Sequence, residues 1–408
     1  MLLNDQMPEL PEACSSTYSA RLCPPEETLG RVASFLPRYG ITRVSRLTGL
    51  DNIGVPVWSA VAPNARSIVI HHGKGITDAD AKVSATMEAL ERAIAGSPSI
   101  DTVTATQASL ELEGRVVDNL AGLIAQGQND VANDEMLTWV QGRNVLSKAE
   151  TWVPYEAVIL DRTPETPRFW QSSDGLASGN TLLEASLHGV LERVERDAET
   201  LWNIANAEQR LKTCLDPRSL LDPIIDGLIT KIESADLKLR LFDITSDIGI
   251  ACFVAFLGPT SITSRSTSRF IDVTKGSGAH LDPARATIRA ITEAIQSRLT
   301  YISGARDDIY PDTFERPLPR EILSYMKAEP KPLPSRKTIG LGPLEDMFDT
   351  VLKHLKAASI DSVIVVPLTP TDFPFSVAKV LVPDLENPPG ERKRRFGARG
   401  ISKALFSL

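Results

Sequence analysis

The sequence predicts one large mixed domain, α+β with strands and helices alternating, and three observations carry that prediction. Three helical segments repeat one polar stripe; each follows a turn rich in small residues; each turn follows an extended segment. The intervals between these rounds are too long and irregular for a solenoid or a simple doubly wound sheet. Length alone, 408 residues, would allow two or three domains. Three arms of one design point to internal pseudo-repetition or to convergence on one ligand.

The elements follow in order. Residues 1–22 mix proline, serine and charge without periodicity and read as a poorly ordered leader; their acidic, proline-broken start is no secretory signal. Residues 23–60 read as a helix and a first strand, because Leu29, Val32, Ala33 and Leu36 recur at helical spacing until Pro37. Residues 61–390 form the main domain. Its first round runs from VPVWSAVA and SIVIHH through HGKGITDADA to the helix AKVSATMEALERAIAG, which stops near Gly96. The second lies in FWQSSDGLASGNTLLEASLHGVLERVERDAETLWN. In the third, CFVAFL and FIDVTKGSGAHLD precede PARATIRAITEAIQSRLTYISG. Two proline-rich stretches, PETPRF and ERPLPREILSYMKAEPKPLPSRK, read as surface connections. A helix near Leu344–Ala358 and the strands SVIVVPL and VAKVLVP follow. Residues 391–408 are a C-terminal tail opening on the basic run ERKRR, read as a solvated segment or a contact for an acidic peptide.

Composition sets limits on function. With 42% hydrophobic and 24% charged residues the chain is an ordinary globular protein, and a net charge of −8 argues against a general nucleic-acid or anionic-membrane surface. Cys14, Cys23, Cys214 and Cys252 show neither CxxC spacing nor a nearby histidine pattern and read as reduced thiols. The longest strongly apolar run, Val363 to Leu368, is too short to span a bilayer, so a cytoplasmic location is expected.

The stripe itself is Ser84, Glu88, Glu91 and Arg92 in the first helix and His188, Glu192, Glu195 and Arg196 in the second, both at i, i+4, i+7 and i+8. Arg289, Glu293 and Gln296 repeat the first two steps in the third. A single ExxER is ordinarily a solvated face of local ion pairs. Five glutamates brought together in a partly dry pocket repel one another, and a divalent cation relieves that. Glu88, Glu91, Glu192, Glu195 and Glu293 offer hard oxygens that suit Mg2+, which shares its shell with substrate phosphates. Arg92, Arg196 and Arg289 suit phosphate oxygens, and Gly73, Gly75, Gly179, Gly276 and Gly278 are placed to bring backbone amides to an anion at the helix starts. Lys74 in the GKG turn and Asn180 behind Gly179 complete the expected cofactor-binding set, although capping is the default role for Asn180 and Thr181.

The cradle is not a phosphate loop, since position 68, ahead of Gly73-Lys74, is isoleucine. A di-iron bundle is disfavoured because the residues three after Glu88, Glu192 and Glu293 are Glu91, Glu195 and Gln296 rather than histidine. His188 and His280 read equally as packed or ligand-facing; His71, His72 and His354 carry no supporting pattern. No catalytic residue is assigned beyond the nucleotide and metal site.

Taken together, SRLTGLDNIGVPVWSAV, GKGITDADAKVSATMEALER, DGLASGNTLLEASLHGVLERVERDA, GSGAHLDPARATIRAITEAIQSRL and GARDD resemble the YcaO superfamily over roughly residues 40–390. The resemblance implies ATP and Mg2+ as cofactors and use of ATP to phosphorylate the carbonyl oxygen of a peptide amide. By motif it assigns the nucleotide and metal site to the stripe residues from Ser84 to Gln296. The end ISKALFSL lacks the proline-rich tail common in azoline-forming members. The chain looks more like members paired with a TfuA-type, sulfur-delivering partner, which implies thioamide formation on a peptide or protein substrate. Azoline-forming cyclodehydration in bacteriocin-type peptide biosynthesis is the alternative, and a non-catalytic accessory role in ribosomal protein methylthiolation is a third reading. A homodimer is compatible with an enzyme of this size, and nothing in the sequence requires it.

Overall fold

The computed structural model describes residues 21–169, 171–333, 338–340, 342–387 and 396–406. The expected leader lies outside these residues except for Arg21 and Leu22, as does the ERKRR run.

Among the described residues there are three sheets, and each ends in one strand that runs directly into one stripe helix. The first sheet is antiparallel: β1 (Arg43–Arg46), β2 (Val57–Val61) and the edge strand β3 (Ile70–Lys74), followed by α1 (Asp78–Gly96). A seven-stranded sheet has β4 (Leu176–Gly179) at its edge, followed by α2 (Leu182–Ile204). A five-stranded sheet contains β5 (Ala251–Pro259) and the edge strand β6 (Thr274–His280), followed by α3 (Pro283–Ser303). Beside β4 in the seven-stranded sheet runs β7 (Ser376–Leu381), antiparallel to it. The chain closes with α4 (Ala398–Phe406).

Local chemistry starts each stripe helix. Thr77 and Asp80 form a capping box on α1, with Asp80 N–H donating to Thr77 Oγ1 at 3.2 Å and Thr77 N–H to Asp80 Oδ2 at 3.1 Å. Thr181 accepts Glu184 N–H at 3.2 Å; Asp282 accepts Ala284 N–H at 3.0 Å, with Pro283 at the first helical position of α3. The helix starts are thus capped by protein groups, and the glycines have a packing role of their own. They lie in the edge strands, where a Cβ at Gly73 would overlap the backbone of Ala81 and Ala85, and one at Gly276 that of Ala290 and Ala294. At Gly179 it would stand 2.7 Å from the Ala185 nitrogen. Their absent side chains let each helix lie directly on its strand.

Packing makes α2 the centre. It lies against β4 and β7 on one side and β6 on another, and residues from Glu184 to Trp202 are buried along most of its length. Three apolar clusters surround the three helices, one around Leu90 and Ile94 of α1, one around Leu187 and Val194 of α2, one around Ile291 and Leu299 of α3. One stretch read as surface connection is a helix in part: Arg320–Lys327 follows Pro319 and buries Tyr325 and Met326. Flanking prolines bound this helix rather than forbidding it.

Candidate functional site

The stripes of α1, α2 and α3 meet. Strand alternation explains how, because successive side chains of an edge strand address different helices. On β3, Gly73 faces α1 while Lys74 pairs with Glu293 of α3 and His72 Nδ1 meets Thr300 Oγ1 of α3 at 2.7 Å. On β6, Gly276 and Gly278 face α3, whereas Ser277 Oγ donates to Glu195 of α2 at 2.8 Å and Lys275 pairs with Glu199 of α2. Ser277 Oγ also lies 3.4 Å from Glu293 Oε1, joining α2 to α3.

Arginines run through the same space. Arg196 Nη1 stands 3.5 Å from Glu195 and 3.4 Å from Ser277 Oγ; its Nη2 is 3.5 Å from Glu192. Arg92 Nε donates to Glu88 at 3.1 Å. Ser84 and Gln296 occupy the ends of their stripes, half-buried. Asn180 is turned elsewhere: its Oδ1 accepts from Thr28 Oγ1 at 3.0 Å and its Nδ2 donates to Glu184 at 3.2 Å, so it fastens the Pro25–Val32 helix to the start of α2.

The charges are unequally compensated. Burial opposes the charge of Glu293, but Lys74 and Arg196 override it and hold that carboxyl well below the ordinary range. Burial likewise opposes Glu88, which Arg92 and then His71 hold below its ordinary value. Glu91 goes the other way: burial, then the neighbouring charges of Glu192 and Glu88, push it well above the carboxylate range. Burial pushes Glu192 up to about 7 despite Arg196, with Asp174 and Glu195 adding to the rise. Glu91 and Glu192, from different helices, are the two stripe carboxyls held above the ordinary range.

The opposite pole is rich in donors. Arg289, His188 and His280 lie within electrostatic reach of one another, and Arg289 Nε and both Nε2 atoms are buried without a protein partner. Asp282 N–H donates to His280 Nδ1 at 2.9 Å, which leaves the neutral ring's proton on Nε2. Burial keeps His280 neutral, its pKa pulled down to about 3.

These features fit a magnesium polyphosphate. Among the described residues no three acidic, imidazole or thiol groups close on one point. Mg2+ takes one or two protein carboxylates and completes its octahedron with water and phosphate. Of the five expected ligands, Glu88, Glu192, Glu195 and Glu293 contact Arg92, Arg196 with the Gly175 N–H, Ser277 with Arg196, and Lys74 respectively. A cavity of about 990 Å3 lies on another face of α2, lined by Leu201, Trp202 and Arg399, and takes no part in this constellation.

The sequence pattern of the YcaO cyclodehydratase family, described as ATP- and Mg2+-binding, matches residues 72–386. The chain belongs to the YcaO family. An uncharacterised protein in the tfuA 3′ region of Rhizobium leguminosarum bv. trifolii is 36% identical over 95% of this chain and 93% of its own length. The fold is that of solved YcaO proteins: YcaO from Methanopyrus kandleri bound with AMPPCP and Mg2+ superposes with a TM-score of 0.69 over 95% of this chain and 98% of that one, at 20% identity. A heterocyclase in complex with substrate and cofactor gives a TM-score of 0.75 at 22% identity, covering 99% of this chain. This chain spans 57% of that larger protein. At such identities the likeness establishes the fold, a single mixed α/β domain.

Sequence reasoning missed Glu199, Ser277 and Asp174. Glu199 had a signal, since it continues the α2 stripe at i+4 from Glu195 and i+7 from Glu192. Asp174 had none beyond lying in a small-residue turn, and Ser277 none beyond standing between Gly276 and Gly278. Among the described residues no helix is long and apolar enough to cross a membrane.

Proposed function

We propose that this YcaO chain activates a backbone amide of a peptide or protein substrate with ATP, and that sulfide from a TfuA-like partner then replaces the amide oxygen to give a thioamide. The observation that supports the activation step is the joining of the α1, α2 and α3 stripes, in which Glu91 and Glu192 are held above the ordinary carboxylate range beside Arg92 and Arg196. In this reading Glu91 and Glu192 hold Mg2+, Arg92, Arg196, Arg289 and Lys74 orient phosphate oxygens, and Ser84 and Gln296 line the nucleotide. ATP supplies the phosphoryl group that turns a poor leaving group, the amide oxygen, into phosphate. The nucleophile adds to the carbonyl carbon, phosphate departs with the former carbonyl oxygen, and with sulfide the remaining S–H proton leaves as C=S forms. The chain's residues position and neutralise charge and need form no covalent bond to substrate.

The relative in the tfuA 3′ region supports the sulfur branch. The heterocyclase likeness favours cyclodehydration, in which a side chain of the substrate is the nucleophile. Mass spectrometry of a peptide incubated with the chain, ATP, Mg2+, a sulfide source and the TfuA-like protein separates them. A mass gain equal to sulfur replacing oxygen is expected; loss of water alone would reject thioamidation. Absence of substrate-stimulated ADP formation would reject both in favour of an accessory role.

A further inference from the structure

The segment from Ser172 to Gly175, just before β4, touches both glutamate helices whose carboxylates oppose one another. Ser173 Oγ accepts from Arg92 Nη2 of α1 at 3.1 Å. Asp174 lies 3.5 Å from Arg196 Nε of α2, and Gly175 N–H donates to Glu192 Oε2 of α2 at 3.2 Å. A short stretch of backbone therefore sets the lateral positions of Arg92, Arg196 and Glu192 together.

Lys379 of β7 shapes that stretch. Its ammonium donates to the carbonyl oxygens of Ser172 at 2.6 Å and Asp174 at 2.8 Å, and the side chain is 5% exposed. Val380 N–H donates to the Gly175 carbonyl at 2.7 Å, so strand and side chain grip the same turn. Gly175 has φ +73°, and a Cβ there would overlap the Val380 carbonyl, which leaves the turn little freedom. Every other residue of β7 from Val377 to Leu381 is apolar and buried. An apolar residue at 379 would avoid the cost of dehydrating an ammonium, so the charge calls for an account beyond packing. Burial pulls the Lys379 pKa down to about 8, with Asp174, Glu192 and Glu91 acting against the fall. It thus sits as a cation behind the two carboxylates that repel each other.

We infer that Lys379 is a positioning residue of the magnesium-nucleotide site: by gathering the Ser172 and Asp174 carbonyls it sets Arg92 of α1 against Glu192 and Arg196 of α2. The inference rests on the reading that these helices hold MgATP. Calorimetric titration of the full chain with MgATP, and with ATP in the presence of a chelator, tests both. Lys379→Met is expected to weaken MgATP binding by about tenfold or more and metal-free ATP binding by less, because Glu192 is displaced along with the two arginines. Ser173→Ala alone should lose about threefold, and the double variant should bind MgATP no more weakly than Lys379→Met, because both act through one segment. A purely structural role for Lys379 would lower both nucleotide affinities alike and add to the serine effect. Additive losses, or unchanged MgATP affinity in a folded Lys379→Met, overturn the inference. Should that variant fail to fold, unchanged affinity in Ser173→Ala, which removes one half-buried hydroxyl, overturns it alone. Failure of the unaltered chain to bind MgATP would instead sink the underlying reading.

Discussion

At the scale of single residues, the site is defined by which charges lack partners. Glu91 and Glu192 repel each other, so Glu91→Gln should relieve the free protein while removing a metal ligand. The expected outcome is a rise in Tm of about 2 °C together with a loss of MgATP affinity of at least about tenfold; thermal melts and calorimetry check the two directions. Glu192 makes a pH prediction. Its folded pKa near 7 is raised above the ordinary value, so it favours folding when protonated, and that contribution is lost as pH rises through the folded value. The stability of the nucleotide-free chain relative to Glu192→Gln should therefore fall between about pH 4 and about pH 7, and saturating MgATP should flatten or reverse that difference. The stripe made most of these residues legible in the sequence, because helical spacing is local. The hydrogen bonds of Asn180 to Thr28 and Glu184 belong to a docking contact that no local pattern announces.

At the scale of elements, a strand, its glycines and a capped helix form a unit used three times. Small residues in the turns were legible, but their packing role was not: Gly276 and its counterparts allow strand-to-helix contact, whereas Thr77, Thr181 and Asp282 satisfy the helix starts. Gly276→Ala should cost about 2 kcal/mol or more and weaken MgATP binding, since α3 must move off β6. Gly227→Ala provides the contrast. That glycine sits in the exposed interior of the Pro223–Ser234 helix with open space at its Cβ, and alanine should stabilise by about 0.5–1 kcal/mol without altering nucleotide affinity. Denaturant unfolding of both variants decides whether glycine is needed for contact or merely tolerated.

At the scale of the whole molecule, the C-terminal helix braces α2 from outside the nucleotide site. Arg399 holds the fully buried Asp197 at 2.9 Å and also reaches Asp247, while Glu386 accepts N–H groups of Gly397 at 3.1 Å and Gly400 at 2.8 Å. Arg399→Met strands a buried carboxylate and should cost about 3 kcal/mol. Burial already raises the Asp197 pKa against the pull of Arg399, and removing the guanidinium raises it further. The variant's loss should accordingly be larger at about pH 8 than at about pH 5, and Asp197→Asn in the same chain should recover much of it. Equal losses at both pH values would show that Arg399 acts by packing rather than charge.

The sequence by itself determined the three stripes, the strand-turn-helix rhythm and the family to which they belong, because helical period, capping residues and turn composition are all properties of short stretches. Tertiary structure alone decided which glutamates face each other, which are already neutralised, and what holds them at that spacing. Lys379 and Ser172 are 207 positions apart, and Lys74 and Glu293 are 219 apart. The physical reason is that a pairing of charges depends on where three sheets lay down their edge strands, and that placement is set by burial of the whole core rather than by any one segment.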